Sequence, residues 1–311
     1  MTRDSNDLLT KLTGSSAYHS IRSEQEIVKC IETNGWSASH SPFYCDAVTG
    51  KTREIDVVGI QRWKKKTREA EVSATLKLYI EAKSARDSHI LMSGRSQFDE
   101  RLDQYWIGYE ENTLEAIAET LSREKFDGHM IREFLQKLEK LAFPRHMMKT
   151  RTLRVSPYPV NECYSAFRET TIGVDKELDN SVLWRALSAL RSSIEAEKKK
   201  IERNILDGLS YILEFAIRND YDQFEMGLDE FKYEINHLKL FHPIVVIDST
   251  LWSVIQRQPK QLKWFRFVQR NANGHIEWWA DVVASSAFSE FSEAITKHYH
   301  KQYRMARAKQ N

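Results

Sequence analysis

At Leu76-Lys77-Leu78-Tyr79-Ile80-Glu81-Ala82-Lys83, a run of alternating apolar side chains leads into an acid and a lysine. This pattern predicts a β-strand, and its alternation places Glu81 and Lys83 on one face and Ala82 on the other. A second run, Arg53-Glu54-Ile55-Asp56-Val57-Val58-Gly59-Ile60, predicts the preceding strand as the second arm of a hairpin. Neighbouring strands would bring Asp56, Glu81 and Lys83 to one edge of a sheet. Two acids and a lysine held there can bind a hard divalent cation and position a water beside it.

A helix is predicted ahead of the hairpin. Ser23 is a candidate N-cap, and Asn34-Gly35 supplies the stop. Glu24 shares the inward-facing stripe formed by Ile27, Val28 and Ile31. A carboxylate on that stripe requires a partner, which makes Glu24 a candidate site residue. The alternative is a first-turn acid that the helix dipole stabilises.

The hairpin's first arm is predicted at 42–46, with a turn around Thr49-Gly50. A polar stretch at 61–74 separates the two acid-bearing strands and is predicted to be a solvent-exposed loop. It contains a group of basic residues, Arg62, Lys64, Lys65, Lys66 and Arg68. Such a group is either a solvated hairpin end or a contact for nucleic-acid phosphates.

The C-terminal part of the chain predicts further strands of the same sheet. They are an apolar strand at 242–248 and a hairpin that pairs 264–268 with 276–283 around Asn273-Gly274, followed by a helix at 287–298. The stretch between is rich in helical patterns, including one long apolar stripe from Leu183 to Ile212. We therefore expect a split α/β core at 1–95 and 240–311. A helical insertion occupies 96–239, with a loop near 144–172.

Composition narrows the classes of function. The 311 residues carry a net charge of +2, which neither requires nor excludes nucleic acid as a partner. No apolar run has membrane-spanning length and the N-terminus lacks a signal-peptide centre, so we expect a cytoplasmic protein without a membrane partner. The three cysteines, Cys30, Cys45 and Cys163, form neither a disulfide framework nor a zinc pattern. No Gly-rich phosphate loop is present, so ATP is not expected.

The order of these features resembles the PD-(D/E)xK, or restriction-endonuclease-like, nuclease superfamily. The resemblance implies an α/β (α+β) fold with a mixed central sheet flanked by helices, here with a large helical insertion. It also implies that Asp56 and Glu81 bind metal, that the backbone carbonyl of Ala82 completes the metal shell, and that Lys83 is the catalytic lysine. Glu24 matches the helix acid that some branches of the superfamily use.

The function implied by this resemblance is a nuclease dependent on Mg²⁺ or Mn²⁺, an endonuclease that hydrolyses phosphodiester bonds in DNA, in prokaryotic antiviral defence or repair. A first alternative is a non-catalytic nucleic-acid-binding or scaffold protein that holds a partner through the helical insertion. A second is a nuclease subunit that is silent until a partner, or a second copy of the chain, binds the insertion. The same three side chains also fit a salt-bridge cluster without a catalytic role.

Overall fold

The structure is a computed structural model that describes residues 3–46, 49–66, 71–96, 105–107, 162–171, 181–218, 223, 226–227, 237–255, 258–274 and 276–308. Its helices are α1 (Arg3–Thr13), α2 (Ser16–Thr33), α3 (Val182–Ile217) and α4 (Phe288–Ala308), and a 3₁₀ turn covers Ser285–Ala287. Its strands are β1 (Ser37–His40), β2 (Phe43–Cys45), β3 (Thr52–Glu54), β4 (Val57–Lys66), β5 (Glu71–Arg95), β6 (Tyr105–Ile107), β7 (Cys163–Thr171), β8 (His237–Ser253), β9 (Lys260–Leu262), β10 (Trp264–Arg270) and β11 (Ile276–Ala284).

A large mixed sheet forms the centre of the described structure. Its strand order is β1-β4-β5-β7-β10-β11-β8-β6, with β9 paired to β8. β1, β4 and β5 form an antiparallel meander, and β8 runs parallel to β5 and to β11. Because β5 also pairs with β8, the strands β5, β7, β10, β11 and β8 close a ring of pairings. The expectation of a mixed α/β fold with helices flanking a mixed sheet is confirmed at this level.

The hairpin ahead of Asp56 differs from the prediction. On the side away from β5, the antiparallel partner of β4 is β1, which pairs Ser37 with Ile60 and His40 with Val57. The predicted first arm, at 42–46, instead contributes β2, which pairs with β3 in a separate two-stranded sheet. The run from Arg53 to Ile60 is therefore two strands, because the chain bends at Asp56 between β3 and β4. An alternating pattern does not reveal such a bend.

The polar stretch at 61–74 is not a long solvent loop. β4 continues to Lys66 and β5 begins at Glu71, and their ladder pairs every residue from Val57↔Ile80 to Lys66↔Glu71. Residues 67–70 lie outside the described part. The stretch has many charged side chains and no alternation of apolar and polar residues, so its pattern concealed the strand conformation.

The C-terminal strands join the sheet that begins at β1, because β8 pairs with β5 along most of its length. The hairpin of β10 and β11 forms as predicted, and α4 follows it. The segment at 96–239 is not purely helical, since β6, β7 and the start of β8 are strands of the same sheet. β7 covers part of the loop predicted near 144–172. The predicted domain boundaries stay a prediction.

Helices cover the two faces of the sheet. α2 packs on one face, where a Cβ on Gly59 would lie 3.0 Å from Ile31 Cδ1. The end of α2 is tied to α4, because Trp36 Nε1 donates to Thr296 Oγ1 at 2.8 Å. α3 lies on the opposite face, where Trp184 stacks edge-on against Phe267. The buried core is made by these helices and both faces of β5, β8, β10 and β11.

The helix caps explain where α2 begins and ends. α2 begins earlier than predicted, because Ser15 is its N-cap and accepts from Tyr18 N, and Ser23 lies within the helix. Its end is as predicted, with Asn34 as the C-cap and Gly35 at φ +81°. The helices predicted around 114–121 and 131–141 lie outside the described residues. No helix among those described is long and apolar enough to cross a membrane.

Candidate active site

Asp56 is held at the bend between β3 and β4 by backbone hydrogen bonds on both sides. Ser41 N donates to Asp56 O at 2.9 Å, and Ile55 N donates to Pro42 O at 3.1 Å. Ile55 is buried, which anchors the bend in the core. Ser41 has a φ of +52°, an uncommon backbone conformation for a residue other than glycine. The bend turns the Asp56 carboxylate toward β5.

Glu81, Ala82 and Lys83 lie where β5 loses one of its two neighbours. The ladder between β4 and β5 ends at Val57↔Ile80, whereas the pairing with β8 continues through Glu81↔Val245 and Lys83↔Ile247. The Asp56 side chain takes the place of the missing strand, since Ala82 N donates to Asp56 Oδ2 at 2.7 Å. In a strand the N–H and C=O of one residue point to the same side, so the carbonyl of Ala82 also faces Asp56.

Lys83 lies between the two acids. Its Nζ is 2.8 Å from Asp56 Oδ2 and 2.6 Å from Glu81 Oε2. The Glu81 side chain is only 3% exposed, compared with 30% for Lys83 and 17% for Asp56. The three side chains thus form a polar cluster that opens to solvent on the side of Lys83. The second oxygen of each carboxylate takes part in none of these contacts.

The pKa values in the cluster are shifted by burial and by its own charges. Burial raises the pKa of the Glu81 carboxyl to about 7, because the Lys83 charge opposes the change only in part and the Asp56 and Glu24 charges add to it. Burial alone would lower the pKa of the Lys83 ammonium, but the charges of Glu81 and Asp56 outweigh it and raise that pKa. Lys83 is therefore cationic at neutral pH, and Glu81 changes protonation near neutrality.

Glu24 lies beside the cluster and outside its hydrogen bonds. The buried Glu24 carboxylate pairs with His40 Nε2 at 2.7 Å and accepts from Ser20 Oγ at 3.0 Å. Its charge raises the pKa of Glu81, which places it within electrostatic range of that acid. The partner that its inward position required is thus His40 on β1. The sequence contained no signal for this pair, because it depends on how α2 packs beside β1.

Tyr44 on β2 is a further residue that the sequence did not indicate. Its hydroxyl faces the backbone of α3, with Ala189 O at 3.4 Å. Burial, then the charge of Glu81, raises the pKa of Tyr44 to about 12, with the Arg53 charge opposing the change. Tyr44 is therefore a neutral hydrogen-bonding group near the acids. An aromatic residue in a short strand has no feature that distinguishes it from a packing residue.

The donor set suits a hard cation, although no complete ligand group is preformed. Asp56, Glu81 and the carbonyl of Ala82 supply oxygen donors, the type that Mg²⁺ and Mn²⁺ prefer. Among the described residues, no three His, Cys, Asp or Glu side chains are arranged to hold a metal. Lys83 occupies one oxygen of each of the two acids, and Glu24 is turned to His40. The residues fit such an ion if Lys83 gives up part of its contact with them.

The described backbone of the predicted basic group lies along β4, away from this cluster. Arg62 is exposed on β4, and the backbone of 64–66 forms the end of that strand, whereas Arg68 lies outside the described residues. Asp56 precedes the other end of β4. At about 3.4 Å per residue, Arg62 and Lys66 are roughly 20 and 34 Å along the strand from Asp56. Arg62 therefore lies too far along the strand to contact a phosphate held at the acids.

Asp281, a further acid of the central sheet, belongs to a separate buried network. It accepts from Arg266 Nε at 2.8 Å and lies 2.8 Å from His242 Nε2, and all three side chains are almost fully buried. Asp281 is level with Ile244 and hence with Ile80, so it lies on the face opposite Glu81. Despite burial, the Arg266 charge and the His242 contact lower the pKa of Asp281 to about 2.

Comparison of the chain with protein-family models, with curated proteins and with solved structures found no match.

Proposed function

We propose that this chain is a nuclease of the restriction-endonuclease-like kind that hydrolyses phosphodiester bonds with the help of a divalent metal ion. The supporting observation is the meeting of Asp56, Glu81 and Lys83 at the point where β4 ends beside β5, with Lys83 Nζ 2.8 and 2.6 Å from the two carboxylates. The order of a helix with an acid, an antiparallel meander, a helix and a parallel strand also supports it. DNA as the substrate, and a role in defence or repair, are proposed from the sequence resemblance.

Asp56 and Glu81 are the residues that would hold Mg²⁺ or Mn²⁺, with the carbonyl of Ala82 as a third oxygen donor. When bound, such an ion polarises the phosphate and lowers the pKa of a water. Lys83 stays protonated at neutral pH, so it donates to a phosphate oxygen and stabilises the charge that develops there. Because a protonated amine cannot accept a proton, Lys83 is not the general base in the metal-free protein. Glu24 can accept a hydrogen bond from a water on its side of Glu81.

The test compares Asp56→Asn and Lys83→Ala with the unmodified protein on labelled double-stranded DNA, single-stranded DNA and RNA, each with Mg²⁺ or Mn²⁺. Asn keeps an oxygen that can accept from Ala82 N, so it removes the charge with little change of the backbone. We expect each substitution to slow cleavage by about a hundredfold or more.

Lys77→Ala is the matched control for this test. Lys77 lies on the same face of β5 as Lys83, is buried to a similar extent and pairs with Glu197 on α3. We expect it to retain cleavage. Cleavage that survives both Asp56→Asn and Lys83→Ala would exclude this cluster from the chemistry.

A second candidate is a non-catalytic nucleic-acid-binding or scaffold protein with the same fold. The observation that favours it is the double ion pair of Lys83, which gives both acids a cationic partner without a metal. Calorimetric titration with Mn²⁺ separates the two candidates. Heat of binding that disappears in Asp56→Asn supports the nuclease. The absence of metal binding, together with normal association with nucleic acid, supports the scaffold.

A further inference from the structure

The small sheet of β2 and β3 stands directly beside the acid cluster. Its register pairs Tyr44 with Arg53, so these two side chains lie on the same face of the hairpin. Tyr44 contacts α3 through Ala189 O, which fixes the hairpin against the body of the protein. Arg53 is three residues before Asp56, which places their Cα atoms within about 10 Å. A cation therefore lies at the rim of the site.

Arg53 is held in place by a buried acid. Its Nε is 2.7 Å from Asp46 Oδ2, and the Arg53 side chain remains 49% exposed while Asp46 is only 5% exposed. Asp46 is itself fixed by the hairpin turn, since Thr49 N donates to Asp46 Oδ1 at 3.0 Å and Asp46 N donates to Lys51 O at 2.9 Å. The guanidinium is thus held on one side by a buried acid and exposed to solvent on the other.

The negative charge of the acids explains why a cation at the rim of the site would help a polyanion to bind. Asp56 and Glu81 place two acids against the single ammonium of Lys83, and the charge of Glu24 also acts on Glu81, so an ionised cluster repels an approaching polyanion. The basic residues predicted to contact nucleic acid begin roughly 20 Å away along β4, at about 3.4 Å per residue. Arg53 lies on the last strand before Asp56. A guanidinium binds phosphate oxygens well because its planar donors match their geometry.

We propose that Arg53 binds a phosphate of the nucleic-acid backbone next to the one held at the acid cluster, and that Asp46 and the hairpin of β2 and β3 hold it in position for this contact. This inference rests on the proposed function. Arg53 would be a substrate-positioning residue that sets the register of the strand across the acids. It contacts the backbone and not the bases, so it contributes equally to all sequences.

The test is equilibrium binding, measured by fluorescence anisotropy on labelled duplex DNA in Ca²⁺ over a series of salt concentrations, with a denaturing gel to verify that the DNA stays intact. Removing one phosphate contact makes the slope of log K against log salt shallower by about 0.9. We expect Arg53→Gln to show this change and to weaken binding about tenfold at low salt. Arg53→Lys keeps the charge, so its slope should equal that of the unmodified protein while its affinity falls less.

The control is Arg218→Gln, which removes an exposed arginine paired with Glu214 beyond the far end of α3. It lies roughly 40 Å along the helix from Ala189, at 1.5 Å per residue, and should change neither affinity nor slope. The role of Arg53 is overturned, even if the protein cuts DNA, if the slope of log K against log salt is unchanged in Arg53→Gln. It is also overturned if that slope becomes shallower in Arg53→Lys. If the unmodified protein binds neither this DNA nor a labelled RNA in the same assay, the role of Arg53 and the proposed function both fail.

Discussion

Replacing Glu81 by Gln should stabilise the metal-free protein, and increasingly so at higher pH. Burial raises the pKa of Glu81 from an ordinary value of 4.5 to about 7. A carboxyl with a raised pKa favours the folded state fully below pH 4.5, and this contribution is lost as the pH rises through 7. At about 1.4 kcal/mol per pH unit, the interval from 4.5 to 7 corresponds to about 3 kcal/mol. Gln resembles the neutral acid and avoids this loss.

Urea unfolding of both proteins in EDTA at pH 5 and at pH 8 measures the effect. Linkage predicts that Glu81→Gln is more stable than the unmodified protein by about 1 kcal/mol at pH 5 and by about 3 kcal/mol at pH 8. Glu290→Gln, an exposed acid paired with Lys263, is the control and should show no such trend. If the stability advantage of Glu81→Gln does not grow between pH 5 and pH 8, the predicted linkage is refuted, because burial would then not oppose the ionisation of Glu81.

The same experiment in Mg²⁺ links this stability to the proposed chemistry. If Glu81 holds the ion, Mg²⁺ at about a hundred times its dissociation constant stabilises the unmodified protein by about 2.7 kcal/mol. Glu81→Gln should gain much less. An equal gain in both proteins would show that any bound ion does not use Glu81.

Two further predictions concern the scaffold. Asp281→Asn should cost about 3–5 kcal/mol of unfolding free energy, because it leaves Arg266 buried beside a neutral partner. The pKa of Asp281 falls from 3.8 to about 2, so the stabilisation by its carboxylate is present above pH 3.8 and lost as the pH falls through 2. In urea unfolding, the difference in unfolding free energy between the unmodified protein and Asp281→Asn should therefore narrow by about 2 kcal/mol in acid. Gly59→Ala should cost about 1–3 kcal/mol in the same assay, because the new Cβ would lie 3.0 Å from Ile31 Cδ1 and 3.5 Å from Leu78 Cβ. Full stability of either variant would contradict its prediction.

The part of the site that lies within one strand followed from the sequence. Alternation along β5 fixes Glu81 and Lys83 on one face. The strand that begins next to Asp56 directly precedes β5 in the chain, which makes it the natural neighbour of β5 in a meander. The strands of the C-terminal segment were also readable, because β10 and β11 are apolar runs joined by an Asn-Gly turn. Local patterns of this kind depend on residues that are close in the chain.

The features that the sequence did not reveal depend on contacts between distant segments. The ion pair of Glu24 with His40 requires α2 to lie beside β1, and the bend at Asp56 requires Ile55 to find a place in the core. Polar ladder residues beyond Arg62 form a strand through pairing with β5, which overrides their weak intrinsic preference. A binding role for Arg53 follows only from its strand pairing with Tyr44 and its ion pair with Asp46, which the sequence does not show.

The early end of the ladder between β4 and β5 explains why the site lies where it does. If β4 began two residues earlier with regular geometry, Ile55 would stand opposite Ala82, Ala82 N would receive a backbone partner and the edge would be closed. The bend gives that N–H to the carboxylate of Asp56 at 2.7 Å, so the acid completes the sheet and faces Lys83 at once. Removing the whole side chain by Asp56→Ala would leave the Ala82 N–H without this acceptor and disturb the edge, a cost of about 1–3 kcal/mol if water does not replace it. Asp56→Asn changes the charge alone, and the difference between the two variants separates the structural role of Asp56 from its chemical one.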